Sequence, residues 1–103
     1  DFIYIDDFIN LTYKLSKLKK NFLIVNVSTS KPVILRNIIK TIKNLINPKL
    51  KIKYTKSKFR MIPVRKVSNL LLKKIIKFEL NYSIEKGLKN TIEWYKKNSN
   101  DSK

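Results

Sequence analysis

Cysteine, histidine, alanine and glutamine are absent from this chain of 103 residues, and glycine occurs once. Each absence closes a class of function. Without Cys there is no disulfide framework and no thiol nucleophile, and without His the ordinary zinc ligand sets are gone as well. The single glycine, Gly87, leaves no Gly-rich turn of the kind that wraps a dinucleotide pyrophosphate at a helix N-terminus. No apolar run approaches the roughly 20 residues that span a bilayer. The first residues lack the pattern of a signal peptide. The expectation is a soluble, cytoplasmic protein with one small domain. The chain also opens almost directly on an apolar run, Phe2 to Ile5, with Asp1 alone ahead of it. That start is expected of a piece of something longer.

Acidic residues are scarce too, 7 against 24 basic ones, for a net charge of +17. Such a balance suits a small nucleic-acid-binding module, which gains affinity by releasing counterions from phosphates. The kind of cation speaks against it: 21 of the 24 are Lys and 3 are Arg, whereas groove and phosphate recognition favours the planar fork of Arg. Lys, Ile and Asn together supply 47 residues. These are the products of A/T-rich codons, so the basicity reads first as base composition projected onto a solvated surface.

What is present alternates between strand-like and helix-like patterns. Phe2 to Ile5 is a short β-branched and aromatic run, read as a strand. Asp6 and Asp7 follow as cap and turn residues before Phe8, Ile9, Leu11, Thr12, Leu15 and Leu18 at helical spacing. Phe22 to Val27 reads as a second strand, apolar on both faces through Phe22, Leu23, Ile24 and Val25. After the turn Ser28 to Pro32, a second helix places Leu35, Ile38, Ile39, Ile42, Leu45 and Ile46 on one face, and Asn47-Pro48 stops it. Leu50 to Tyr54 alternates as a third short strand. Residues 55–67 form a polar, basic connection. Ser68 or Asn69 caps a short helix through Leu70 to Ile76. Ser83 caps the last helix, with Leu88, Ile92, Trp94 and Tyr95 expected to pack inward.

Four blocks in this order resemble one family. They are Asp1 to Asp7 (DFIYIDD); Ile24 to Ser28 (IVNVS) with Lys31 to Val33; Arg65 to Asn69 (RKVSN) leading into Leu72 to Phe78; and Ser83 to Leu88 (SIEKGL) followed by Thr91 to Tyr95 (TIEWY). The pattern is similar to the C-terminal third of the NAD-dependent epimerase/dehydratase family, the extended short-chain dehydrogenase/reductases that act on nucleotide sugars. The resemblance covers residues 1–97, leaving 98–103 as a polar tail. It departs from the family pattern at Ser28 and Ser30, which stand where a turn usually carries Gly, and at Lys77, which replaces Gly before an aromatic. A degenerate, non-catalytic copy used for association would account for these departures, as would drift.

The resemblance implies an α/β fold: the C-terminal substrate-binding portion of a Rossmann-type enzyme, here about four helices with a few short strands. It implies a parent enzyme using NAD or NADP, bound by an N-terminal domain outside this segment, and a nucleotide-sugar substrate. Family members often dimerise through helices elsewhere, so a homodimer is expected of the parent. The family's catalytic Tyr-x-x-x-Lys pair would lie upstream. Tyr13 and Lys17 share that spacing but fall on the helix after the Asp pair, where a chance surface pair is the better reading. No catalytic, cofactor-binding or metal residue is therefore expected here, and the segment alone should be inactive. For the substrate's diphosphate, Arg65 is the best match to a family Arg and Arg60 the second, each with a solvated basic loop as the plain alternative. Asn26 would line the sugar side or bond backbone groups at the strand end, the latter preferred.

Overall fold

The computed structural model describes residues 1–19, 22–56 and 64–99. Four helices follow one another along the chain: α1 (Ile5–Ser16), α2 (Leu35–Ile46), α3 (Leu70–Ile75) and α4 (Ile84–Asn98). Four helices match the number read from the sequence. The strands do not: among the described residues there is no strand and no sheet, so the α/β, Rossmann-like expectation is corrected to helices joined by extended coil.

The reason is visible in residues 22–28. Their exposure alternates residue by residue, with Leu23, Val25 and Val27 turned partly inward and Phe22, Ile24 and Asn26 outward. The pleat of a strand is thus present. A strand also needs a neighbour to take its N–H and C=O groups. Residues 22–27 make no backbone ladder with another segment among the described residues. Leu50 to Tyr54 and Phe2 to Tyr4 likewise form no strand, and Ile5 already belongs to α1.

The helices start and stop for local reasons. α1 begins after Tyr4, which gives no side-chain cap; Asp6 and Asp7 lie inside its first turn, on the side the helix dipole favours. The sequence reading of one Asp as cap is therefore corrected. α2 ends at Asn47, whose side chain accepts from Lys49 N at 2.9 Å in an Asx turn ahead of the break that Pro48 enforces. α4 is capped as expected, Ser83 Oγ accepting from Lys86 N at 3.2 Å.

Only α2 and α4 pack directly on one another among the described residues. The apolar core is small: Leu11 of α1, Ile38 of α2 and Leu72 of α3 are its buried members. Leu35 and Ile46, at the two ends of the apolar face read for α2, stay half exposed. Trp94 and Tyr95 do not pack inward; both are about two-thirds exposed. The radius of gyration, 17.1 Å, exceeds the ~13 Å of a compact domain of this length. No described helix is long and apolar enough to cross a membrane.

Candidate functional site

With so little apolar burial, two carboxylates organise the chain. Asp7 is 2 % exposed. Its Oδ1 accepts from Asn81 N at 3.0 Å and Asn81 Nδ2 at 3.3 Å, and its Oδ2 from Tyr82 N at 3.1 Å. The first turn of α1 thereby holds the residues that lead into α4. Beside it Tyr82 donates its hydroxyl to Asp6 Oδ2 at 3.1 Å, stacks on Tyr4 at 4.3 Å between ring centroids, and lies under Lys86 Nζ at 4.5 Å. The hydrogen bond to the Asp6 carboxylate, with desolvation and the nearby negative charge, raises the Tyr82 pKa.

Asp1 does the same work at residues 28–30. Its Oδ1 accepts from Thr29 N at 3.1 Å and from the Thr29 hydroxyl, and its Oδ2 from Ser30 N at 3.0 Å. Successive amides facing one anion form the kind of concavity that binds phosphate elsewhere. Here a carboxylate of the chain itself fills it, so this turn is a joint rather than a phosphate cradle. Ser30 sits at φ +59°, in the left-handed region that favours Gly. Ser28 and Lys77, the other two positions where Gly was expected, do not take positive φ.

On its other side the turn grips residues 67–69. Ser28 Oγ and Ser30 Oγ both donate to the Val67 carbonyl at 2.9 Å, and Asn69 Nδ2 donates to Ser28 O at 2.8 Å. Ser28 and Asn69 are buried. Asn69 was read from the sequence as a possible helix cap; its side chain is spent instead on this cross-link, and α3 starts without a side-chain cap at Asn69.

Arg65 is exposed on the segment leading to this joint, two residues before Val67. Asn26 is exposed two residues before Ser28. The Ser28–Val67 bond thus brings the two segments together, although among the described residues no hydrogen bond joins Arg65 to Asn26. The Asn26 side chain bonds no described backbone group, the role preferred for it; Asn69 fills that role. Arg60 lies outside the described residues. Tyr13 and Lys17 are a surface cation–π pair, Nζ 4.8 Å from the ring centroid, with Tyr13 well exposed. Arg36, the third arginine, covers the Tyr54 ring at 5.2 Å.

A cavity of about 630 Å³ opens between the N-terminal segment, α2 and α4, walled by Tyr4, Ile38, Leu80, Tyr82 and Leu88 with Thr29 and Lys31 at its polar part. Neither Arg65 nor Asn26 lines it. Asp1, Asp7 and Asn69 are what sequence reasoning missed. The only available signal was the pair of acids flanking an apolar run, which an ordinary cap also explains.

With this geometry in place, similarity to known proteins becomes informative. The chain is 34 % identical over 100 residues to a UDP-glucuronate 4-epimerase of Thermodesulfobacterium geofontis, covering 95 % of this chain and 30 % of that protein. It is 29 % identical over 106 residues to a UDP-N-acetyl-alpha-D-glucosaminuronate decarboxylase of Bacillus cytotoxicus, covering 97 % of this chain and 33 % of that protein. Both relatives are NAD-dependent epimerase/dehydratase family members, and the chain is similar to them over nearly its whole length. The chain spans about a third of the length of these relatives. No family model matches it, and no solved structure does.

The family's dinucleotide does not fit the described residues of this chain. Gly87, the one glycine, lies within α4 and has no positive φ. Its lack of a Cβ serves packing: a Cβ there would meet Tyr4 Cδ2 at 3.1 Å. A family member's pyrophosphate turn has no counterpart among the described residues.

Proposed function

We propose that this chain is the substrate-side part of an NAD-dependent nucleotide-sugar enzyme of the epimerase or decarboxylase type, and that Arg65 binds the diphosphate of the nucleotide sugar. The observation that carries this reading is the likeness to two enzymes named for UDP-sugar substrates over nearly the whole chain. Arg65 supports it chemically. A guanidinium offers a planar fork of donors to phosphate oxygens, and an exposed one on a segment anchored two residues away is free to do so. Asn26, on the segment joined to it, contributes an amide for the sugar hydroxyls. The nicotinamide chemistry belongs to residues outside this chain, whose own part is binding and specificity rather than proton or hydride transfer.

Titration of the chain with UDP, uridine and NAD, followed by calorimetry and amide chemical shifts, tests the reading. UDP is expected to bind, uridine more weakly, NAD not at all, and Arg65→Ala to weaken UDP about tenfold, the loss of one charge-assisted pair. Saturable NAD binding, or equal UDP affinity of the variant, would overturn it. A nucleic-acid module would instead hold duplex DNA at submicromolar affinity in physiological salt, with the steep salt slope of phosphate neutralisation.

A further inference from the structure

We infer that Ser28 and Ser30 are positioning residues for Arg65: two hydroxyls that touch no ligand set how tightly this chain holds a nucleoside diphosphate. The inference rests on the diphosphate reading of Arg65 and goes beyond it in saying what orders that side chain's backbone.

The two hydroxyls converge on one acceptor. Ser28 Oγ and Ser30 Oγ each lie 2.9 Å from the Val67 carbonyl oxygen, so both of its lone pairs are used by the same turn. Asn69 Nδ2 returns a bond to Ser28 O at 2.8 Å, and Ser28 and Asn69 are buried, away from competing water. Two residues of chain reach at most ~7 Å, so pinning Val67 confines the Arg65 backbone to a small volume. A ligand meeting a confined arginine has less ordering to accomplish, which is how preorganisation raises affinity.

Ser30 shows that the hydroxyl has a purpose. At φ +59° glycine would sit without strain, and a Ser there persists only where its surroundings over-determine it. They do: Asp1 Oδ2 holds its amide at 3.0 Å, and its hydroxyl is bound to Val67. A strained residue with a bonded hydroxyl stands where an unstrained one without a hydroxyl would serve a mere turn. What the hydroxyl adds is the tie to the segment that carries Arg65.

The test uses the full chain, with UDP as the probe. Ser30→Gly is the safe variant, because its backbone conformation suits glycine; Ser28→Ala/Ser30→Gly removes both hydroxyl bonds. Helix content by circular dichroism is expected to hold in Ser30→Gly. Heteronuclear NOE values of the Arg65 and Lys66 amides are expected to fall in both variants, further in the double one. UDP affinity is expected to drop about fivefold in the double variant, and Arg65→Ala added to it is expected to cost less than in the native background. Unchanged amide order at residues 65 and 66 in Ser30→Gly, or additive effects with Arg65→Ala, would overturn the inference. If the native chain fails to bind UDP, the diphosphate reading fails by itself. The amide order in Ser30→Gly then still decides whether the hydroxyls position Arg65: a fall supports it and no change refutes it.

Discussion

At Asp7, two backbone N–H groups and one side-chain amide converge on a carboxylate that solvent barely reaches. An Asn in its place keeps the shape but offers one acceptor oxygen and turns an NH₂ toward donors that then have no partner. Hydrogen bonds to a charged group are worth ~1.5–3 kcal/mol, and an orphaned buried donor adds its desolvation. Asp7→Asn is therefore expected to destabilise the chain by about 2–3 kcal/mol, read as a lower urea midpoint, whereas Asp6→Asn, which loses a single exposed bond to Tyr82, is expected to change it by under ~1 kcal/mol. Tyr82 gives the pH dependence. Its pKa is raised in the folded chain, chiefly by the bond it donates to Asp6, above the ordinary value of about 10. A group whose folded pKa is raised contributes stability that is complete below the unfolded pKa and lost as pH climbs through the folded one. Stability is accordingly expected to be flat across neutral pH in this respect and to fall above pH ~10, with Tyr82→Phe flattening that alkaline limb in urea titrations run from pH 8 to 11.5.

Among the elements, α4 is the one whose position is specified most fully. Its N-terminus has the Ser83 cap, its preceding residues are held by Asp7, and its second turn comes against Tyr4 at Gly87. An added Cβ at Gly87 would stand 3.4 Å from Tyr4 Cβ and Cγ and 3.1 Å from Cδ2. Alanine there gains up to ~1 kcal/mol of helix propensity and needs only a small shift of the ring, so the two effects nearly cancel. A β-branched side chain has no such escape. Gly87→Val is expected to cost at least ~2 kcal/mol through overpacking and to disturb the Tyr4–Tyr82 stack, visible as a changed near-ultraviolet tyrosine signal. The helices themselves were legible in the sequence, because Ile38, Ile39 and Ile42, or Ser83 and Glu85, act within one or two turns of one another. The inward packing of Trp94 and Tyr95 was not. An aromatic pair near the end of an amphipathic pattern has the same local signature whether or not a partner lies opposite.

For the molecule as a whole, charge and burial pull in one direction. A net charge of +17 on a chain whose buried apolar residues, among those described, are Leu11, Ile38 and Leu72 opposes compaction. Phe22 and Ile24, 80 % and 75 % exposed, leave apolar surface in water as well. Raising sodium chloride from 10 to 300 mM shortens the Debye length from about 30 Å to under 10 Å. It is therefore expected to raise the thermal midpoint by several degrees, measured by circular dichroism, with sulfate more effective than chloride; a midpoint that falls with salt would mean that attraction between opposite charges dominates instead. The family resemblance was legible from the order of four sequence blocks, and the likeness to two UDP-sugar enzymes agrees with it. By itself the sequence determined the helices, the cap at Ser83 and the family resemblance, all of which depend on residues near one another along the chain or on their order. Only the tertiary structure decided that the extended segments stay unpaired, that Asp7 is a buried joint rather than a cap, and that Ser28, Ser30 and Asn69 fasten residues 67–69. Those outcomes turn on which groups, 28 to 75 residues apart, arrive within hydrogen-bond distance, and no local pattern records that.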